Sequence, residues 1–255
     1  MYQATLAASV PPSADSCAPV PSQTRAGTRP EADAPRAALP PDPEAYAAAE
    51  RLERRVGYRL AKRAFDVCFS AGVLAVLAVP MLAVAAAIKL DSPGPAIFRQ
   101  ERLTKGGRRF KMWKFRSMRA DAEQMLDSLK DQNEKDGPVF KIREDPRITR
   151  VGRFIRKTSI DELPQFVNVL AGDMSVVGPR PPLPREAESY SERDRQRLLV
   201  KGGITCIWQV QQCRDDYSFD EWVGMDLEYV KTASVMTDLK LIARTVGAVI
   251  GMQGS

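Results

Sequence analysis

Histidine does not occur anywhere in the 255 residues. Its absence excludes every mechanism that needs an imidazole, including Ser-His-Asp hydrolysis, Cys-His proteolysis, His-ligated zinc and phosphohistidine transfer. Cysteine is scarce. Cys17, Cys68, Cys206 and Cys213 form no Cys-x-x-Cys pair, so neither a zinc ribbon nor a disulfide framework is indicated, and a reduced, cytosol-facing protein is expected. Internal repeats are absent too. The first 45 residues have few large apolar groups and hold nine of the 19 prolines, which predicts a disordered tail with little burial to offset the entropy of ordering it. No basic stretch precedes a compact apolar one there, which excludes a signal peptide.

What is present is charge and one apolar run. Lys and Arg outnumber Asp and Glu by 38 to 32, for a net charge of +6. Between Asp66 and Lys89 lie 22 residues with no charge at all, about 33 Å as a helix and long enough to cross a bilayer. A buried helix of a soluble protein is the bland alternative, but such helices keep a polar face. Basic residues crowd both flanks, from Arg51 to Arg63 before the run and from Lys89 to Arg119 after it. Positive flanks prefer the cytoplasmic side, and a simple span would push one of them across. Pro80 sits mid-run, where it removes a backbone hydrogen bond and kinks a helix. A re-entrant hairpin that enters and leaves by the cytoplasmic face satisfies both observations.

The remainder reads as a mixed α/β body rich in helix. Strands are predicted over 96–102 and 110–118, joined by a turn through Lys105-Gly106-Gly107. An amphipathic helix is expected over 119–135 and another over 219–230. The segment 239–250 is apolar enough for either the core or a membrane surface. The stretch 98–118 interleaves basic and aromatic residues. It suits a nucleic-acid surface, a membrane-proximal patch, or an active-site wall in which Lys111, Lys114 and Arg116 bind a pyrophosphate substrate. The neighbouring apolar run argues against nucleic acid.

Chemistry concentrates in Arg156 to Gln165. Ser159 followed by Glu162 matches a helix capping box, so a helix is predicted to start near Ile160. A cap alone does not need two adjacent carboxylates. The helix N-terminus is expected to keep Asp161 ionised and to attract phosphate. Arg153, Arg156 and Lys157 precede the pair, and Arg180 follows in a rigid Gly-Pro-Arg-Pro. This suits an aspartate nucleophile attacking phosphorus, beside a glutamate that binds Mg²⁺.

From Lys62 to Ile250 the chain resembles the bacterial sugar transferases, the monotopic phosphoglycosyl transferases that act on polyprenyl phosphate. The motifs that carry the resemblance begin with Lys62-Arg63-x-x-Asp66, Ser92-Pro93-Gly94-Pro95 and Phe110-x-x-x-Lys114-Phe115-Arg116-Ser117-Met118. They continue with Asp161-Glu162-Leu163-Pro164-Gln165, Asn168-Val169-Leu170-x-Gly172-Asp173-Met174-Ser175 and Val177-Gly178-Pro179-Arg180-Pro181. The resemblance implies a bacterial inner-membrane enzyme with a re-entrant helix and a cytoplasm-facing catalytic domain. Its reaction would start exopolysaccharide or other glycoconjugate synthesis. Asp161 would attack a UDP-sugar to release UMP, and undecaprenyl phosphate would then take the phosphosugar. Glu162 would bind Mg²⁺, while Arg156 and Arg180, with Lys114 and Arg116, would contact phosphate. A homodimer is compatible with this reading. On the same reading the chain divides into a tail at 1–50, a basic flank and membrane helix at 51–90 and a catalytic domain at 91–251, a minimal form without the multi-span region of larger members. A non-catalytic membrane scaffold is the rival class, against which the intact Asp161-Glu162 pair speaks.

Three departures from the family pattern stand out. Thr104 replaces a usual glycine, Lys201-Gly202-Gly203-Ile204-Thr205-Cys206 replaces Arg-Pro-Gly-Ile-Thr-Gly, and Gln212-Cys213-Arg214 replaces a small residue followed by Gly-Arg. Glycine in place of proline at 202 is expected to loosen that loop. Neither Cys206 nor Cys213 has a metal-ligand partner in sequence, so no zinc is expected.

Overall fold

The computed structural model describes residues 39–142, 144–211 and 216–250. Helix α1 (Pro43–Arg54) opens the described chain, and α2 (Val56–Asp91) follows almost at once. A hairpin of β1 (Ile97–Leu103) and β2 (Arg109–Phe115) leads through the short α3 (Leu126–Leu129) to α4 (Arg150–Lys157) and α5 (Gln165–Ala171). Then come β3 (Ser175–Val177), α6 (Pro184–Glu188), α7 (Glu192–Arg195), β4 (Gly203–Thr205), α8 (Phe219–Thr232) and α9 (Val235–Ile250). The fold is mixed α/β and rich in helix. β1 and β2 pair antiparallel with Ile97 opposite Phe115, and β3 runs parallel to β4.

The tail expected over the first 50 residues is corrected at its end. The Asp42 carboxylate accepts from Glu44 N at 2.9 Å and Ala45 N at 3.3 Å, Pro43 fits the first turn, and helix starts there. Ala45, Ala48 and Ala49 give α1 a face of small side chains that packs closely on α8. The expectation of disorder for 1–38 lies outside the described residues. The helix expected over 119–135 is likewise corrected: it shrinks to turns, α3 and a 3₁₀ turn at Lys130–Gln132. Asn133 ends it by turning its amide to the carbonyls of Lys135 and Val139.

Helix α2 is one uninterrupted helix with Pro80 inside it, and among the described residues it alone is long and apolar enough to cross a membrane. Val76, Val79 and Leu82 at its middle are 77%, 76% and 71% exposed. Both halves nevertheless touch the same body. Tyr58, Phe69, Val73 and Leu74 pack with Phe166 of α5 and Tyr229 of α8. Met81, Val84, Ala85 and Ile88 pack on Ile155 of α4 and Phe115 of β2.

The Lys62-Arg63-x-x-Asp66 motif fixes the first half. Lys62 Nζ reaches Asp238 Oδ2 at 2.7 Å and Tyr229 Oη at 3.2 Å, and Arg63 donates to the carbonyls of Val169 and Leu170 at the end of α5. Asp66 is buried and accepts from Ser175 Oγ at 3.1 Å and Val176 N at 3.0 Å. At the other end Asp91 Oδ2 accepts from Val151 N at 3.1 Å. A core of stacked Trp208 and Trp222, with Phe219 and Tyr190, joins α1 to α8.

Candidate active site

Asp161 owes its place to α4. Thr149 caps that helix by accepting from Gly152 N at 2.9 Å, and Gly152 lies so close to the Ser117 carbonyl that no Cβ would fit between them. After α4 ends, Ser159 takes φ +55 and the chain makes one 3₁₀ turn, Ile160–Glu162, before Pro164 and α5. The expected capping box does not form. The left-handed backbone of Ser159 leaves its side chain without a cap bond, and the Glu162 carboxylate goes instead to Lys114 Nζ at 2.8 Å. Nor does a helix dipole hold Asp161 ionised, because a single 3₁₀ turn has none to speak of. Burial pushes its carboxyl up to about 6. Lys114 opposes that shift, Glu162 reinforces it, and Arg156 and Arg180 oppose it.

Asp161 is 8% exposed and accepts no hydrogen bond from any described residue. What it faces is a cavity of about 410 Å³. Arg156, Arg180 and Lys141 line the polar part together with Asp161, Glu162 and Ser159. The apolar part is formed by Phe69 and Val73 of α2, Ile204 of β4, and Ile242, Val246 and Val249 of α9. Lys114 reaches the site through Glu162, its ammonium made less basic by burial against the pull of that carboxylate.

The structure therefore brings together five of the six residues expected at the site: Asp161, Glu162, Arg156, Arg180 and Lys114. The sixth is corrected. Arg116 is buried with its guanidinium on the carbonyls of Pro93 at 2.6 Å, Ser92 at 2.6 Å and Ile88 at 3.3 Å, where it ties off the end of α2. Lys111 points to solvent. Gly202 is not loose either: a Cβ there would lie 2.6 Å from Pro181 Cγ, so glycine lets β4 approach the segment that carries Arg180. Cys206 is buried, its thiol donating to Gln209 Oε1 at 3.1 Å, and Gln212, Cys213 and Arg214 lie outside the described residues. The sequence reading missed Phe140 and Lys141, whose loop reaches the cavity only through tertiary folding, and the contribution of α9 to its wall.

No cluster of three or more acidic or thiol ligands occurs among the described residues. A hard divalent ion does not require one, since it takes one or two carboxylates and completes its shell with phosphate and water. The adjacent Asp161 and Glu162 carboxylates, one already holding the Lys114 ammonium, fit that mode.

Two adjacent acidic residues, two arginines and side chains of the long apolar helix α2 thus share one cavity. The family described as "Bacterial sugar transferase" matches residues 57–252, and the chain belongs to it. It is 44% identical over 202 residues to the galactosyl transferase CpsE of Streptococcus agalactiae, covering 77% of this chain and 43% of that protein. It is 40% identical over 204 residues to the undecaprenyl-phosphate galactose phosphotransferase of Salmonella typhimurium, covering 77% and 42%. The UDP-glucose:undecaprenyl-phosphate glucose-1-phosphate transferase of Caulobacter vibrioides is 40% identical over 205 residues, covering 77% and 72%. The chain thus spans less than half the length of the first two relatives.

Proposed function

We propose that this chain transfers a sugar 1-phosphate from a UDP-sugar to undecaprenyl phosphate, giving undecaprenyl-diphospho-sugar and UMP, as the first step of exopolysaccharide or other glycoconjugate synthesis. The observation that carries the reading is the Asp161 carboxylate, buried, without a hydrogen bond to any described residue, and facing a cavity lined by both cationic and apolar side chains. An Asp161 oxygen attacks the β-phosphorus of the donor. The bond from that phosphorus to the bridging oxygen breaks, and UMP leaves with the electron pair. An oxygen of undecaprenyl phosphate then attacks the same phosphorus and frees the carboxylate. Arg156 and Arg180 bind the phosphate oxygens and offset the charge that builds on them. Lys114 holds Glu162 in place beside the nucleophile. Glu162, with Asp161 beside it, would hold Mg²⁺, which supplies charge neutralisation on the diphosphate.

On this reading α2 is re-entrant, and the body faces the cytoplasm of a bacterial inner membrane. Both halves of α2 pack on one body, and both of its flanks are basic. The test is UMP release across a panel of UDP-sugars with undecaprenyl phosphate and Mg²⁺, in which Glu162→Gln should cripple turnover and added Mg²⁺ should partly restore it. Full rate in that variant would remove Glu162 from the mechanism. No UMP from any donor would favour a non-catalytic scaffold. Topology is read separately by labelling Cys17 with an impermeant maleimide in intact spheroplasts. Protection until lysis is expected, and labelling before lysis would show a spanning helix.

A further inference from the structure

The segment that carries Arg180 is gripped from two directions. On one side Gly178 N donates to Thr205 O at 3.0 Å and Gly203 N to Pro179 O at 2.9 Å. On the other, Leu103 N donates to Pro182 O at 2.9 Å and Arg102 Nη1 to Pro181 O at 3.0 Å. With prolines at 179, 181 and 182 the backbone around Arg180 has few torsions left to vary.

Arg102 is an odd choice for such a tether. The residue is 6% exposed, and its other hydrogen bonds run from Nε and Nη2 to Gln100 Oε1 at 3.1 and 2.7 Å. No carboxylate of a described residue lies within ion-pair distance of it. A carbonyl needs only a neutral donor, and a buried charge without a counter-ion is expensive. Burial, reinforced by the nearby Arg180 guanidinium and opposed by Glu186 and Glu162, lowers the basicity of Arg102 to about 10. Lys114 has its counter-charge in Glu162, and the counter-charge that Arg102 and Arg180 lack among the described residues is one that an anion in the cavity would bring.

We propose that Arg102 is a positioning residue for the donor diphosphate: by holding the Pro181 carbonyl, it fixes the segment that presents Arg180 to the cavity. The inference rests on the function proposed above. The experiment is calorimetric binding of UDP to the full chain in lipid nanodiscs, for Arg102→Gln, Arg180→Gln, the double variant, Arg102→Lys and Gln100→Ala, with KM and kcat for UMP release measured alongside. Arg102→Gln and Arg180→Gln should each weaken UDP about tenfold. The double variant should be no weaker than Arg180→Gln alone, because Arg102 acts through Arg180. Arg102→Lys should recover part of the loss, and Gln100→Ala, which frees the guanidinium without touching the cavity, should show a smaller loss of the same kind, in KM rather than kcat. Additive losses in the double variant would overturn the inference, as would unchanged UDP affinity in Arg102→Gln. If Arg102→Gln fails to fold, as a melting curve would show, normal UDP affinity in both Arg102→Lys and Gln100→Ala overturns it instead. Unsubstituted protein that neither binds UDP nor releases UMP would sink the proposed function, and this inference with it. Unsubstituted protein that does both, beside Arg102 variants that also do both normally, sinks this inference alone.

Discussion

Asp66 and Asp161 are two nearly equally buried aspartates, 4% and 8% exposed, and they are used in opposite ways. Asp66 sits in the long regular helix α2 with its carboxylate on a backbone N–H and a hydroxyl of β3. Asp161 sits on a single 3₁₀ turn, accepts no hydrogen bond from a described residue and faces the cavity. A buried carboxylate costs free energy unless it is hydrogen-bonded. The cost is met at Asp66 by partners that join the apolar helix to the body. At Asp161 it is left standing, as a raised pKa. Burial alone therefore does not single out Asp161; burial without a hydrogen bond, on the wall of a cavity, does.

The sharpest way to break the comparison is to remove each carboxylate in turn. Asp161→Asn keeps the shape but is a very poor nucleophile, so UMP release should fall by about a thousandfold or more while the protein stays folded and membrane-associated. Normal turnover by the folded variant would end the covalent mechanism. Asp66→Ala should do the reverse. It orphans Val176 N and Ser175 Oγ in the interior, which is expected to cost about 2–4 kcal/mol in urea unfolding. A stability change under 0.5 kcal/mol (roughly the scatter of neutral surface changes) would show that the motif does not pin α2.

A weaker effect separates the two by pH. The Asp161 carboxyl is raised from 3.8 to about 6 in the folded protein, so between those values the native state holds a proton that the unfolded chain has lost. Stability from this group is therefore full below about pH 4 and is lost as pH rises through 6. In chelator, Asp161→Asn should escape that loss and be more stable than the unsubstituted protein by about 1–3 kcal/mol at pH 7.5, with the gap closing toward pH 4. A gap that stays constant from pH 4 to 7.5 would mean that the carboxyl is not perturbed.

The sequence showed the site better than it showed the supports. Asp161, Glu162, Arg156 and Arg180 were legible because adjacent acids beside clustered arginines serve no folding purpose by themselves. Lys114 and Arg116 are two apart in what reads as one strand, so alternation places them on the same face. The strand ends at Phe115, and the turn away sends Arg116 to the end of α2 instead. No local pattern announces that ending, because it is set by a contact between residues more than 20 positions apart. The hairpin and helices α8 and α9 follow from periodicity and came through within a few residues. Helix α1 did not, since an Ala-rich segment after prolines gains much of its stability from the α8 surface that receives it. The Lys62-Arg63-x-x-Asp66 motif was visible as a pattern, yet its work of fastening α2 to β3, α5 and α9 needed the tertiary structure.

The smallest expected effect bears on how Asp161 is aimed. Ser159 is the one non-glycine residue with positive φ among the described residues, and it lies two positions before Asp161. If a capping box held this turn, losing the Ser159 hydroxyl would cost about 1 kcal/mol. The structure has no such bond, and the backbone there is one that L side chains adopt at a penalty while glycine does not. Ser159→Gly should then be neutral or stabilising by up to about 0.5–1 kcal/mol, the relief of strain being offset in part by the freer unfolded chain. Ser159→Ala should be close to neutral, and Ser159→Val should destabilise, because a β-branched side chain tolerates this φ least. Chemical unfolding of the three variants reads the order directly. A loss of 1 kcal/mol or more in both the glycine and the alanine variants, the usual size of a lost helix cap, would restore the capping box and leave Asp161 aimed by a side chain instead of by backbone strain.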